Sequence, residues 1–157
     1  LTNDLIADND FIGLFINSNG DHFQIIHNTI VNNEYSGLVI NNTGMGFHNN
    51  ISALNGHYGV EYLGSYSSAE TRNDVWANAW GATNLGGHPY YLEEDPLFFN
   101  PAGGLYQIRA TSPCMDDCAF DHSSDTSFNG LARPQGAGCD IGAYEMPMPL
   151  FFPLIIR

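Results

Sequence analysis

The chain has 157 residues, 43% of them hydrophobic and 13% charged, and sets 17 acidic residues against 4 Arg and no Lys, for a net charge of −13. That supply of apolar side chains can bury the core of one domain and argues against disorder. The acidity argues against nucleic acid, whose phosphates need Lys and Arg, and against anionic membrane surfaces. Neutral glycans or bound cations fit better, as does plain solubility.

Residues 4–16 (DLIADNDFIGLFI), 28–40 (NTIVNNEYSGLVI) and 50–62 (NISALNGHYGVEY) align without gaps. Asp4, Asn28 and Asn50 form one column, Asn9, Asn33 and Asn55 a second, and Gly13, Gly37 and Gly59 a third. Leu14, Leu38 and Val60 follow, then Ile16, Ile40 and Tyr62. The copies step by 24 and 22 residues, and a weaker fourth copy reads NDVWANAWG (73–81). A period near 23 leaves two main solenoids, the leucine-rich repeat and the parallel β-helix. Leu is sparse, and apolar residues sit two apart in short pieces, which is the strand period. Each copy is therefore expected to be one coil of short strands, stacked on the next at roughly 4.8 Å. The Asn and Gly columns are expected at the corners, where both tolerate left-handed backbone. The Asn side chains are expected to hydrogen-bond along the stack, and the two aliphatic columns to point inward. Residues 1–88 form about four coils on this reading. Leu1 falls inside a repeat, so the sequence reads as the C-terminal part of a longer array. Cut at Leu1, it is expected to be marginal or self-associating.

Residues 82–94 read as a loop. Turn signals then crowd the chain (Asp95-Pro96, Asn100-Pro101, Gly103-Gly104, Ser112-Pro113) between short apolar runs. A solenoid needs its end covered, and residues 89–145 are the expected β-rich C-terminal cap. The apolar tail 146–157 is short and broken by Pro147, Pro149 and Pro153, so no run is long enough for a transmembrane segment.

The stretches DPLFFNPAGGLYQIRATSPCMDD (95–117) and NGLARPQGAGCDIGAYE (129–145), taken with the Asn/Gly coils, resemble the C-terminal region of bacterial right-handed parallel β-helix proteins of the choice-of-anchor Q type. The resemblance covers nearly the whole chain up to Glu145. It implies an all-β, right-handed parallel β-helix with a C-terminal cap, in an extracellular or cell-surface protein. That family mostly has no assigned reaction. Its relatives in fold include polysaccharide lyases, epimerases and hydrolases, and others that are adhesin-like.

In an exported chain a disulfide is expected. Of the three pairings open to Cys114, Cys118 and Cys139, Cys118–Cys139 would tie the loop DHSSDTSFNG to the final strand. Asp116, Asp117, Asp121 and Asp125 offer oxygen ligands for calcium, without EF-hand spacing; Asx-turns and solvation explain them equally. No other cofactor is indicated. For a lyase or glycosidase, the candidates are Arg72 with Glu61, Glu70 and Asp74, since such chemistry needs a base beside acids or a carboxylate pair; a surface salt bridge is the plainer account of Arg72. Tyr58, Tyr62, Tyr66, Trp76, Trp80, Tyr90 and Tyr91 crowd the last coils. They are either packing between coils and cap or a platform for sugars. The expected function is a surface module that is structural or binds a polysaccharide or cell-surface glycan. The alternative is the C-terminal part of a polysaccharide lyase, epimerase or glycosidase whose site lies mostly outside this chain.

Overall fold

A computed structural model describes residues 1–17, 23–41, 44–64, 68–85 and 91–147. Within them the chain is all-β apart from two 3-10 turns, Pro101–Gly103 and Phe120–His122. The strands of the repeats are β1 (Leu5–Ala7), β2 (Leu14–Asn17), β3 (Gln24–Ile26), β4 (Thr29–Val31), β5 (Leu38–Asn41), β6 (Met45–His48), β7 (Ile51–Ala53), β8 (Tyr58–Tyr62), β9 (Ser68–Thr71), β10 (Asn73–Trp76) and β11 (Gly81–Thr83). β12 (Tyr91–Leu92), β13 (Phe98–Asn100) and β14 (Leu105–Ile108) follow.

Successive strands enter different sheets, and every third strand returns beside the one a copy earlier. The result is three sheets, ordered β1-β4-β7-β10-β12, β11-β8-β5-β2 and β3-β6-β9. Every pairing in them is parallel. The register follows the sequence columns: Leu14 faces Leu38, which faces Val60, and Ile16 faces Ile40, which faces Tyr62. Leu38, Ile40, Val60 and Tyr62 join Ile25, Ile30, Met45, Phe47 and Val75 in one buried cluster.

The two Asn columns are hydrogen-bonded from copy to copy. Asn28 Nδ2 donates to Asn50 Oδ1 (2.9 Å) and Asn50 Nδ2 to Asn73 Oδ1 (3.0 Å). In the second column Asn9, Asn33 and Asn55 donate in turn to Asn33, Asn55 and Asn78, at 2.7, 2.9 and 2.8 Å. Each Oδ1 also accepts the backbone N–H of the residue above it. From Asn28 and Asn33 onward these amides are buried, so each ladder satisfies corner backbone groups that would otherwise be orphaned.

Two details of the corners differ from expectation. The left-handed residues are not the ladder Asn but those just before them: Asn3, His27, Asn49 and Arg72 in one row, Asp8, Asn32, Leu54 and Ala77 in the other, all with φ between 50° and 60°. A ladder Asn must aim its amide along the stack, so the tight backbone falls on its neighbour. Gly37 and Gly59 are needed for space rather than for φ. A Cβ at either would lie 2.6 Å from the Nδ2 of Asn55 or Asn78 in the next copy.

The C-terminal region is also placed differently from a cap on the end of the stack. It runs lengthwise over the outer face of the β1-β4-β7-β10-β12 sheet and touches all four copies. Asn3 Nδ2 donates to Thr126 O (2.5 Å), Tyr106 Oη to Asp8 Oδ1 (2.8 Å), Ala143 N to Thr29 Oγ1 (3.0 Å) and Gly142 N to Asn49 O (2.8 Å). Of residues 89–145, β12 pairs with β10 as the last strand of that sheet; beyond it the regular structure among the described residues is the antiparallel β13–β14 hairpin, two 3-10 turns and one bridge, Thr126 to Ala132. Phe98, Tyr106, Ile108, Ile141 and Ala143 pack on Val31, Ile51 and Ala53. The sheet is therefore buried on both faces, and TIV (29–31) and ISA (51–53) are buried at every position.

The quoted motifs RPQG and DIGAYE meet in one device. Arg133 Nη1 donates to Glu145 Oε2 (2.7 Å) and to Asp140 O (2.9 Å), and Nη2 to Gly142 O (2.8 Å), with both side chains of the ion pair at most 1% exposed. Gly142, at φ +95°, lies where a Cβ would meet Ile51 and Thr29. A glycine there lets the segment lie flat on the sheet.

Cys118 and Cys139 are bonded, with Cα atoms 5.3 Å apart, and Cys114 is free and buried. Ile141 N also donates to Cys114 O (2.9 Å) and Cys118 N to Cys139 O (3.0 Å). The two segments therefore stay paired without the sulfurs. Cys118→Ser is expected to leave the far-UV circular dichroism nearly unchanged, to cost about 3 kcal/mol, and to open residues 119–138 to protease. Unreduced peptide maps showing Cys114 in a bridge would overturn this.

Candidate functional site

The corner that follows the second Asn column carries an aromatic residue in every copy: Phe11, Tyr35, His57 and Trp80. Parallel stacking in register places these rings over one another. Ring centroids are 5.1 Å apart for Phe11 and Tyr35, 3.8 Å for Tyr35 and His57, and 3.4 Å for His57 and Trp80, with planes within 31° of each other. The rings cover one another's faces along the column. At the ends of the column Phe11 is 63% exposed and Trp80 is 60% exposed. Tyr58 meets Trp80 edge-on at 5.7 Å.

Beside the ladder runs a groove made of three adjoining hollows of about 470, 440 and 350 Å³. Its floor is the left-handed corner row Asp8, Asn32, Leu54 and Ala77. Pro101 and Ala102 of the turn between β13 and β14 form part of the opposite wall. Asp8, Asp10 and Glu34 line one end, and Trp76, Phe98 and Arg109 the other. Asp10, Glu34 and Ala79 in the groove directly precede Phe11, Tyr35 and Trp80, so ladder and groove share a rim. Amides and carboxylates gather at the first end and larger apolar side chains with Arg109 at the other, a mixture that suits a ligand with both hydroxyls and apolar patches.

The residues nominated from sequence fall in several places. Tyr62 is buried, and its hydroxyl donates to Glu70 Oε1 and lies 3.2 Å from Tyr91 Oη. Burial pushes the Tyr91 hydroxyl far above its ordinary pKa. Trp76 packs half-buried beneath the C-terminal region. Only Trp80 and the half-buried Tyr58 are placed as a sugar platform would need; Tyr66 and Tyr90 lie outside the described residues. Trp76 and Tyr62 were drawn inward because a strand residue's neighbours two apart share its face.

The nominated catalytic residues are not assembled. Glu61 is on β8 and accepts from Ser36 Oγ (2.5 Å). Arg72, on the corner before β10, donates to both carboxylate oxygens of Asp117 (2.9 and 3.0 Å) on the surface. Asp74 is buried under the C-terminal region, accepting from Cys114 Sγ (3.2 Å) and, through Oδ1, from Glu94 N (3.4 Å). The four candidate calcium ligands part in the same way. Asp116 Oδ1 accepts from Gly138 N (3.0 Å), Asp117 is held by Arg72, Asp121 is 3.6 Å from His122 Nε2, and Asp125 lends its carbonyl to Arg133 N. Among the described residues the one close set of ligand types is His27 with Cys118 and Cys139, whose sulfurs are committed to each other. His27 is buried beneath them, and its pKa is held down to about 3 by that burial and by the nearby Arg133.

What fold and site define is a class: an all-β protein on three parallel sheets, its repeats tied by amide ladders and flanked by an aromatic ladder and a groove. Comparison with protein-family models, with curated proteins and with solved structures finds no match. Among the described residues, no helix is long and apolar enough to cross a membrane.

Proposed function

We propose that the chain is a right-handed parallel β-helix module of about four coils from an exported or cell-surface protein, and that its groove binds a neutral glycan chain along the stack. The handedness is the one that parallel crossovers strongly prefer. A disulfide on a chain of this kind fits an oxidising compartment. The observation that carries the ligand class is Trp80, exposed at the end of the aromatic ladder and next to a groove whose far end carries the side chains of Asp8, Asp10, Asn32 and Glu34. Aromatic rings with a wet face and nearby fixed acceptors suit sugars, which present C–H patches and hydroxyls together. The net charge of −13 turns away polyanions.

A glycan array, followed by product analysis on every hit, tests the reading and separates binding from cleavage. Trp80→Ala is expected to weaken any hit by about tenfold or more with an unchanged melting temperature. An array without hits, or a hit indifferent to Trp80→Ala and Tyr58→Ala, would refute it.

A further inference from the structure

Burial falls sharply at one edge of the stack. Leu38 and Ile40 are at most 1% exposed, whereas Leu14 and Ile16, one copy earlier in the same columns, are only partly buried. Leu1, Phe11 and Phe15 of that first copy are exposed outright. The hydrogen bonds stop at the same place. At each junction below, an Asn Oδ1 accepts a backbone N–H and a side-chain amide from the copy above. Among the described residues nothing donates to the side-chain oxygens of Asp4 or Asn9, which occupy the same ladder positions.

We propose that the edge formed by β1, β2 and β3 is a docking surface for one further coil of this repeat's own chemistry: an extended segment with two Asn five residues apart. Its apolar residues would cover Leu14 and Ile16, and its Asn backbone and amide N–H groups would donate to Asp4 and Asn9. This continues an interface already seen three times, between the first and second, second and third, and third and fourth copies. At Asp4 the acceptor is a carboxylate, so the bonds there would be charge-assisted. A second copy of the chain does not fit this edge. Its own first copy would set Asp4 against Asp4, acceptors facing acceptors. Its other end closes the first column with β12, where Tyr91 and Leu92 pair with Asn73 and Asp74, so only the second column, ending at Asn78, could continue into it.

The test joins a duplicate of residues 28–48 ahead of Leu1, which places an Asn 24 residues before Asp4, the spacing of the first two copies. In this longer chain the amides of β1 and β2 are expected to exchange at least about tenfold more slowly than in the original chain, and the melting temperature to rise by about 5 °C or more. Asp4→Ala is expected to remove part of that gain while leaving the original chain unchanged, because its carboxylate there accepts nothing. Replacing both Asn of the inserted coil with Ala should remove most of it. No added protection in β1 and β2, or protection indifferent to Asp4→Ala and to the Asn replacements, would overturn the proposal. So would a stable dimer of the original chain that already protects this edge.

Discussion

Asn50→Ala is expected to lower the melting temperature by about 10 °C or more, or to prevent the protein from accumulating folded. Asn50 is fully buried and sits at the centre of its ladder. Its Oδ1 accepts from Asn28 N and Asn28 Nδ2, both at 2.9 Å. Its Nδ2 donates to Ile25 O and His48 O, both at 2.8 Å, and to Asn73 Oδ1 at 3.0 Å. Alanine strips partners from donors and acceptors that no water reaches, at about 1–3 kcal/mol for each group left unsatisfied. Even with partial relaxation the sum is on the order of 4 kcal/mol, a large share of the 5–15 kcal/mol (roughly) that holds a domain of this size. A rise of about 2–4 °C per kcal/mol links this to the melting temperature. Asn41→Ala is the control. Its amide donates to Asn17 Oδ1 at 3.1 Å on the surface, and the change should cost under about 0.5 kcal/mol. Thermal denaturation of the two variants side by side checks the contrast. Equal losses would mean that the ladders are ornaments of the stack.

The second large effect is a pH dependence carried by Asp74. Burial pushes this carboxyl up from 3.8 to about 7, with Glu94 and Asp95 adding to the rise and Cys114 Sγ and Glu94 N opposing it. The folded state therefore holds the proton more tightly than the unfolded chain. Below about pH 4 both states are protonated and the group's stabilising contribution is complete. Between about pH 4 and 7 the unfolded chain ionises while the folded one does not, so stability is lost as pH rises; above about 7 the loss is constant. Three units correspond to on the order of 4 kcal/mol at the upper limit. Asp140, raised to about 6 mainly by burial, acts in the same direction over a narrower window. His27 and His48, held down by burial to about 3 and about 4, act oppositely and lose stability as pH falls below 6.5. The test is therefore a difference. Asp74→Asn should be more stable than the parent at pH 8, and its advantage should shrink as pH falls toward 4. A stability difference that does not change between pH 4 and 8 would show that Asp74 is already ionised in the fold.

The repeat was legible because parallel stacking makes columns in space out of columns in sequence. Leu14, Leu38 and Val60 needed no knowledge of distant contacts to be placed together. The Asn ladders followed from the same rule. What the Asn did to the backbone was not legible: the left-handed residues are His27 and Asn49, one place earlier, and residue type alone does not reveal a shift of one. The aromatic ladder was present in the aligned copies but hidden by its chemistry, since Phe, Tyr, His and Trp share a ring and little else. The fourth copy also brings its Gly one place early, beside Trp80. The course of the C-terminal region was out of reach. It depends on partners about a hundred residues apart, such as Tyr106 and Asp8 or Ala143 and Thr29, and local turn signals carry no such information. Arg72 and its partner Asp117 are 45 residues apart, also beyond local reading, so a lone Arg among nearby acids read as a catalytic candidate.

The central claim is that copies about 23 residues apart lie parallel and in register. Nuclear Overhauser contacts in solution test it most directly. Methyl contacts from Leu38 to both Leu14 and Val60, and backbone amide to α-proton contacts between β4 and β7, are the predicted result. Strong contacts between α protons of β4 and β5, the mark of an antiparallel hairpin within one copy, would contradict it.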